Sequence, residues 1–111
     1  MHINFEEIKE TTLKNFKGGE NEILAKIYSD DSVKIIKSIL KPGSSIGYHK
    51  HIDNFEVVYV LKGEANILDD GKEYVVKENE AHYCPKGHSH GVKNKTNSDL
   101  VVFCVVPNGG K

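Results

Sequence analysis

From residue 22 to residue 106 the chain is a succession of short runs rich in β-branched and aromatic residues, each closed by a turn signal, and this rhythm restricts the fold most. The runs cover 22–29, 33–40, 45–51, 55–61, 64–69, 72–76, 81–84, 90–93 and 100–106. Asp-Asp, Pro-Gly, Asn-Glu and Asn-Ser pairs separate several of them, residues whose side chains or backbone angles suit turns. Asp70-Gly71 predicts a two-residue hairpin, because a type I′ turn needs positive φ at both central positions. Short strands with tight turns and little helix predict an all-β antiparallel sandwich or barrel. At 111 residues the chain has room for a single core, and it shows no internal repeat.

The segment before the first run reads in two ways. Over residues 4–16, Asn4 stands three positions before Glu7, and Phe5, Ile8, Thr12 and Phe16 roughly share a face, the pattern of a short capped helix. The same residues suit an arm laid over the barrel or over a partner subunit, with Lys17-Gly18-Gly19 ending it. The expected organisation is an arm or short helix over 1–20, one barrel over 21–107 and a tail over 108–111.

Chemistry concentrates between Gly43 and Gly63. If His49-Lys50-His51 is extended, the two-residue period sends both imidazoles to one face and Lys50 to the other. Ile52-Asp53-Asn54 reads as a turn, and a hairpin there returns Glu56 to the side of the histidines. Two imidazoles and a carboxylate on one face suit a divalent transition metal.

The spacing G-x5-H-x-H-x4-E-x6-G is filled at Gly43, His49, His51, Glu56 and Gly63, and it resembles the first signature motif of the cupins, small β-barrels with an internal metal. Their second motif, G-x5-P-x-G-x2-H-x3-N, is matched by Pro85, Gly87, His90 and Asn94, with Asn79 in place of the leading glycine. Asparagine tolerates left-handed backbone better than most residues, so the turn survives the exchange. The resemblance implies a double-stranded β-helix, or jelly-roll barrel, with His49, His51, Glu56 and His90 as metal ligands. Iron, manganese, nickel, zinc and cobalt all accept that donor set. It further implies a metal-dependent enzyme of dioxygenase, decarboxylase, isomerase or lyase type acting on a small organic molecule. The alternative is a non-catalytic metal-containing module that binds or senses a small ligand. A homodimer paired through an outer sheet is the expected assembly, with the apolar faces of 22–29 and 100–106 suited to it.

Within these motifs Glu56 is a candidate ligand and base, and His88, two before His90, a candidate acid/base or substrate contact. His82 reads as a satisfied or exposed polar residue. Tyr48 and Tyr59 alternate away from His49 and Glu56, and only one of Tyr83 and Cys84 can face inward. Asn94 reads as a structural hydrogen-bonding residue. Alternation places Val58, Val60 and Val92 inward and predicts an apolar wall, with Lys37 or Ser38 as further inward candidates.

Fifteen lysines, no arginine and sixteen acidic residues leave a net charge of −1, with the lysines scattered. That distribution offers no nucleic-acid footprint, and no bidentate guanidinium clamp exists in the chain. A small neutral or weakly polar substrate is therefore expected. No stretch is apolar enough to span a membrane and the start lacks a signal-peptide core, so a cytoplasmic location is expected, with Cys84 and Cys104 as reduced thiols.

Overall fold

The computed structural model describes residues 1–108, so of the expected tail only Asn108 falls among the described residues. Ten strands follow in order: β1 (Thr11–Lys14), β2 (Glu22–Ser29), β3 (Val33–Leu40), β4 (Ser45–Lys50), β5 (Glu56–Lys62), β6 (Glu64–Asp69), β7 (Lys72–Lys77), β8 (Ala81–Cys84), β9 (Ser89–Lys93) and β10 (Leu100–Pro107). They form two antiparallel sheets, a six-stranded one ordered β1-β2-β3-β10-β5-β8 and a four-stranded one ordered β4-β9-β6-β7. Neighbours far apart in sequence, such as β3 with β10 and β4 with β9, interleave the two halves of the chain into the jelly-roll barrel.

Local chemistry sets the turns. Asp70 and Gly71 both take positive φ, 47° and 86°, as a type I′ hairpin between β6 and β7 demands. Asn79 sits at φ 66°, so the residue that replaces the motif's glycine adopts the left-handed backbone expected of it.

The N-terminal segment is an arm and not a helix. Only Phe5–Glu7 makes a single 3-10 turn, with the Asn4 side chain accepting from the Glu6 N–H at 3.0 Å. Thr11–Lys14, inside the segment that also read as a helix, pairs with β2, Leu13 opposite Ile23. A second 3-10 turn at Phe16–Gly18, entered through left-handed Asn15, then lays the chain against β4. Contact there is backbone on backbone, because a Cβ at Gly47 would overlap the Lys17 carbonyl oxygen. Phe5 packs its ring edge-on to Phe103 of β10, centroids 5.5 Å apart.

Strand alternation fills the interior. Ile23, Leu40, Val58, Val60, Ile67, Val92, Leu100 and Val102 are almost wholly buried in one cluster, each fully buried side chain of this size contributing roughly 1.5–3 kcal/mol. β10 shows the period most plainly, with Leu100, Val102, Cys104 and Val106 inward and the residues between them half-exposed. Among the described residues no helix is long and apolar enough to cross a membrane.

Candidate metal centre

Four side chains meet between the sheets. His49 on β4 and His90 on β9 are register partners. His51 lies one residue beyond β4, and Glu56 opens β5 in the opposite sheet. The hairpin expected to return Glu56 to the histidines is therefore absent, since β4 and β5 do not pair. The link through Ile52–Phe55 crosses between sheets, and convergence comes from two facing walls. A register slip between Ile46 and His49 bulges β4 at Gly47 and re-aims the strand just before the first histidine.

The donor atoms are close. His49 Nε2 lies 3.2 Å from His51 Nε2, which lies 3.0 Å from His90 Nε2. Glu56 Oε1 stands 3.0 Å from the Nε2 of both His51 and His90. One ligand atom from each residue falls within 4.8 Å of all the others.

Hydrogen bonds behind the rings define what these atoms can do. His49 Nδ1 lies 2.7 Å from the Gly47 carbonyl and His51 Nδ1 2.5 Å from Asn54 Oδ1, so each Nδ1–H donates. In a neutral ring that leaves Nε2 with a lone pair. Nitrogen lone pairs facing one another at about 3 Å repel unless a proton or a cation stands among them, and such separations suit donors sharing an ion at about 2.0–2.2 Å. The residues therefore fit a divalent transition metal.

The cluster's electrostatics without a cation point the same way. Burial pushes the Glu56 carboxyl up, but with no cation present Nε2–H hydrogen bonds from protonated His51 and His90, with their charge, outweigh it and hold it at about 2. The Glu56 hydrogen bond raises His51, and burial lowers His49. The carboxylate is thus a fixed negative charge that demands positive charge beside it.

A cavity of about 450 Å³ opens onto His49, His51 and Glu56. Its wall is apolar as expected, but Val58, Val60 and Val92 do not make it, because they pack the core away from the opening. Phe16, Ile23, Ile36, Ile46 and Val106 form it instead, with Ser38 the inward residue of the Lys37/Ser38 pair. Two exposed lysines border the opening, Lys17 from the arm and Lys34 from β3, and the Lys17 charge lowers the pKa of His51. Lys50, expected to turn outward, also borders the cavity, and its charge adds to the lowering of the Asp70 carboxyl. The sequence offered no obvious anion clamp, whereas three lysines border this cavity. Sequence alternation missed Lys17 because a left-handed turn (φ 55°), not a strand, carries it.

Other candidates separate clearly. His88 is half-exposed, pairs through Nδ1 with Asp70 and does not border the cavity, so the structure does not bring it to the cluster. His82 is almost fully buried and hydrogen-bonded at both nitrogens, its Nε2 3.0 Å from His90 Nδ1. Tyr48, Tyr59 and Tyr83 are exposed, whereas Cys84 is fully buried. Both cysteines are free thiols, Cys84 raised to about 11 by burial and Cys104 driven well up by burial and by Glu56. Asn94 is buried and bonded to backbone carbonyls, apart from the cluster. Asn54, read only as a turn residue, also orients His51; its place three residues after the histidine was the available sign.

Comparison with known proteins agrees with this geometry. A family model described as Cupin domain matches residues 37–106. The oxalate-binding protein of Thermotoga maritima is 32% identical over 112 residues, covering 96% of this chain and 93% of the relative. The crystal structure of a predicted oxalate decarboxylase from Thermotoga maritima superposes with a TM-score of 0.91 at 30% identity, covering 97% of this chain and 99% of that one. An RmlC-like cupin from Shewanella frigidimarina shares the fold at a TM-score of 0.80 and 16% identity, covering 100% and 94%.

Proposed function

This chain belongs to the cupin family, and on that premise we propose that it binds a divalent transition metal through His49, His51, Glu56 and His90 and uses the site to hold a small organic acid. The observation that carries the reading is the convergence of three imidazole nitrogens and one buried carboxylate oxygen beside a cavity that opens onto His49, His51 and Glu56 and is bordered by Lys17 and Lys34. When bound, the ion supplies positive charge and coordination positions that four protein ligands leave open. The chain's own residues do the rest. Lys17 and Lys34 add charge that attracts a carboxylate, as point charges and not as a planar clamp. Phe16, Ile23, Ile36, Ile46 and Val106 keep the approach dry, which strengthens each polar contact inside.

The ligand class follows from charge and from kinship. An acid presenting two oxygen atoms satisfies both the ion and the lysines, and the Thermotoga maritima relative is named for oxalate. The cavity has room beyond a two-carbon diacid, so oxalate and short 2-oxo or 2-hydroxy acids form the proposed class. This departs from the neutral or weakly polar substrate expected when no anion clamp was visible.

Calorimetry on metal-loaded and metal-free protein tests the proposal, with oxalate and its neutral diamide as probes and metal content measured by mass spectrometry. Oxalate should bind only the loaded protein, and the diamide far more weakly. Equal binding of both probes, or oxalate binding indifferent to metal, would overturn it. A second reading, turnover of the same acid, is favoured by the likeness to the protein described as a predicted oxalate decarboxylase. Formate and carbon dioxide appearing from oxalate would establish that reading; saturable binding without product would exclude it for this acid.

A further inference from the structure

Behind His90 runs a line of polar groups that the ligand set does not use. His82 of β8 is 2% exposed, yet none of its polar atoms is unpaired. Its Nε2 lies 3.0 Å from His90 Nδ1 and its Nδ1 lies 2.7 Å from the Tyr74 hydroxyl oxygen. The Tyr74 hydroxyl in turn donates to Asp69 Oδ2 at 2.7 Å. Three strands build the line, β9, β8 and β7, and it ends on β6, where Asp69 is the register partner of His90.

The proton positions along this line follow from one end. A carboxylate has no hydrogen to give, so the single hydroxyl hydrogen of Tyr74 goes to Asp69. The Tyr74 oxygen is then the acceptor for His82, which places the His82 proton on Nδ1. Neutral His82 is left with a lone pair on Nε2, and the partner there must donate, so the His90 proton sits on Nδ1. In neutral His90, the form that ligates, Nε2 therefore keeps its lone pair, and that is the atom 3.0 Å from Glu56 and from His51. Each link depends on the one before it, and the direction is the same throughout.

We propose that Asp69, Tyr74 and His82 are positioning residues for the metal, a hydrogen-bonded chain that locks His90 in its ligating tautomer and lends its ring negative character from the Asp69 carboxylate. His49 and His51 have one acceptor each, Gly47 and Asn54; His90 has a three-residue relay to a charge. Outer partners of this kind commonly change metal affinity by about 10–100-fold. The inference rests on the metal reading above.

Tyr74→Phe is the informative variant, because Tyr74 is 40% exposed and the change removes one oxygen at the middle of the line while keeping the ring. Metal-free protein is titrated with zinc against a competing chromogenic chelator, alongside Asp69→Asn and Tyr59→Phe. Tyr59 is the control, since its hydroxyl bonds Asn79 away from the cluster. Zinc affinity should fall about 10-fold or more in Tyr74→Phe, less in Asp69→Asn (whose amide oxygen still accepts), and not in Tyr59→Phe. Nitrogen NMR of the metal-free protein, at a pH high enough to leave both rings neutral, should show His90 and His82 protonated at Nδ1 in the wild type and a loss of that preference in Tyr74→Phe. Wild-type zinc affinity in folded Tyr74→Phe, or an equal loss in Tyr59→Phe, overturns the inference alone. Absence of zinc binding by the wild type removes the metal reading and this inference with it.

Discussion

Replacing Asn94 by alanine should destabilise the barrel more than any other single polar truncation outside the metal cluster. Asn94 is 0% exposed and its side chain makes four hydrogen bonds, the full capacity of an amide. Nδ2 donates to the carbonyls of Leu40, at 2.8 Å, and Ser98, at 2.7 Å. Oδ1 accepts from the Thr96 N–H at 2.9 Å and the Thr96 hydroxyl at 2.8 Å. The residue thereby pins the end of β3 to the turn that leads into β10, while its own backbone pairs with Gly43 and Ser44. Truncation takes the side-chain donor from the Leu40 carbonyl in a fully buried setting, at a cost of about 1–3 kcal/mol. The three bonds in the half-buried turn can be partly replaced by water, each losing about 0.5–1 kcal/mol. Together they predict a loss of about 2.5–6 kcal/mol, a large share of the roughly 5–15 kcal/mol by which such domains are stable. At about 4 °C per kcal/mol for a chain near this length, the thermal midpoint should fall by roughly 10–24 °C. Urea unfolding followed by circular dichroism reads it, with an unchanged slope showing that stability alone moved. Asn94→Asp should do no better, because it puts a carboxylate oxygen in place of Nδ2 and turns it toward the Leu40 and Ser98 carbonyls. A loss below about 1 kcal/mol for alanine, or a clear rescue by aspartate, would refute the assignment of the bonds.

Two further perturbations test the arm and the interior. Gly47→Ala should lift the Phe16–Gly18 turn from β4, since the added carbon would also stand 2.7 Å from Gly18 C and Gly19 N; a loss of about 1–3 kcal/mol and weaker metal binding through the displaced Gly47 carbonyl are expected by urea unfolding and zinc titration. Cys84 and Cys104 should resist alkylation in the native protein at pH 8–9 and react fully in urea, because both folded-state pKa values lie above the usual 9.0. By the same sign, their contribution to stability is complete below pH 9.0 and is lost as the pH rises toward about 11 for Cys84, which unfolding at pH 8 and pH 10.5 will detect.

How much of this was legible in the sequence depends on how far each feature reaches along the chain. Strands β2, β3, β6 and β8 fall where period-two alternation and flanking turn residues put them, because both act over a few residues. The left-handed Asn79 and the Asp70-Gly71 hairpin were legible for the same reason, being properties of the residue itself. β1 was not legible. Thr11-Thr12-Leu13-Lys14 offers one apolar residue in four, and its strand character comes from pairing with β2, which propensity does not encode. The spacing of His49, His51, Glu56 and His90 located the cluster correctly but supplied the wrong route to it. A hairpin is the nearest way to bring Glu56 back, whereas the chain reaches the same place by changing sheets.

The parts hidden from the sequence are those that decide what the site can hold. Lys17 stands 34 residues before His51, and only the backbone packing of the arm on Gly47 brings its charge to that histidine. His82, Tyr74 and Asp69 belong to three different strands, so no motif spacing could assemble them behind His90. Both sets act on the same centre from opposite directions. The buried line sets which nitrogen of His90 faces the ion, and the exposed lysines set which charge of ligand can approach it. If that division is right, the two can be uncoupled: Lys17→Ala should weaken oxalate binding and leave zinc affinity near wild type, whereas Tyr74→Phe should weaken zinc first. Loss of zinc affinity in Lys17→Ala would show instead that the arm braces the ligands themselves and that the rim and the centre are one unit.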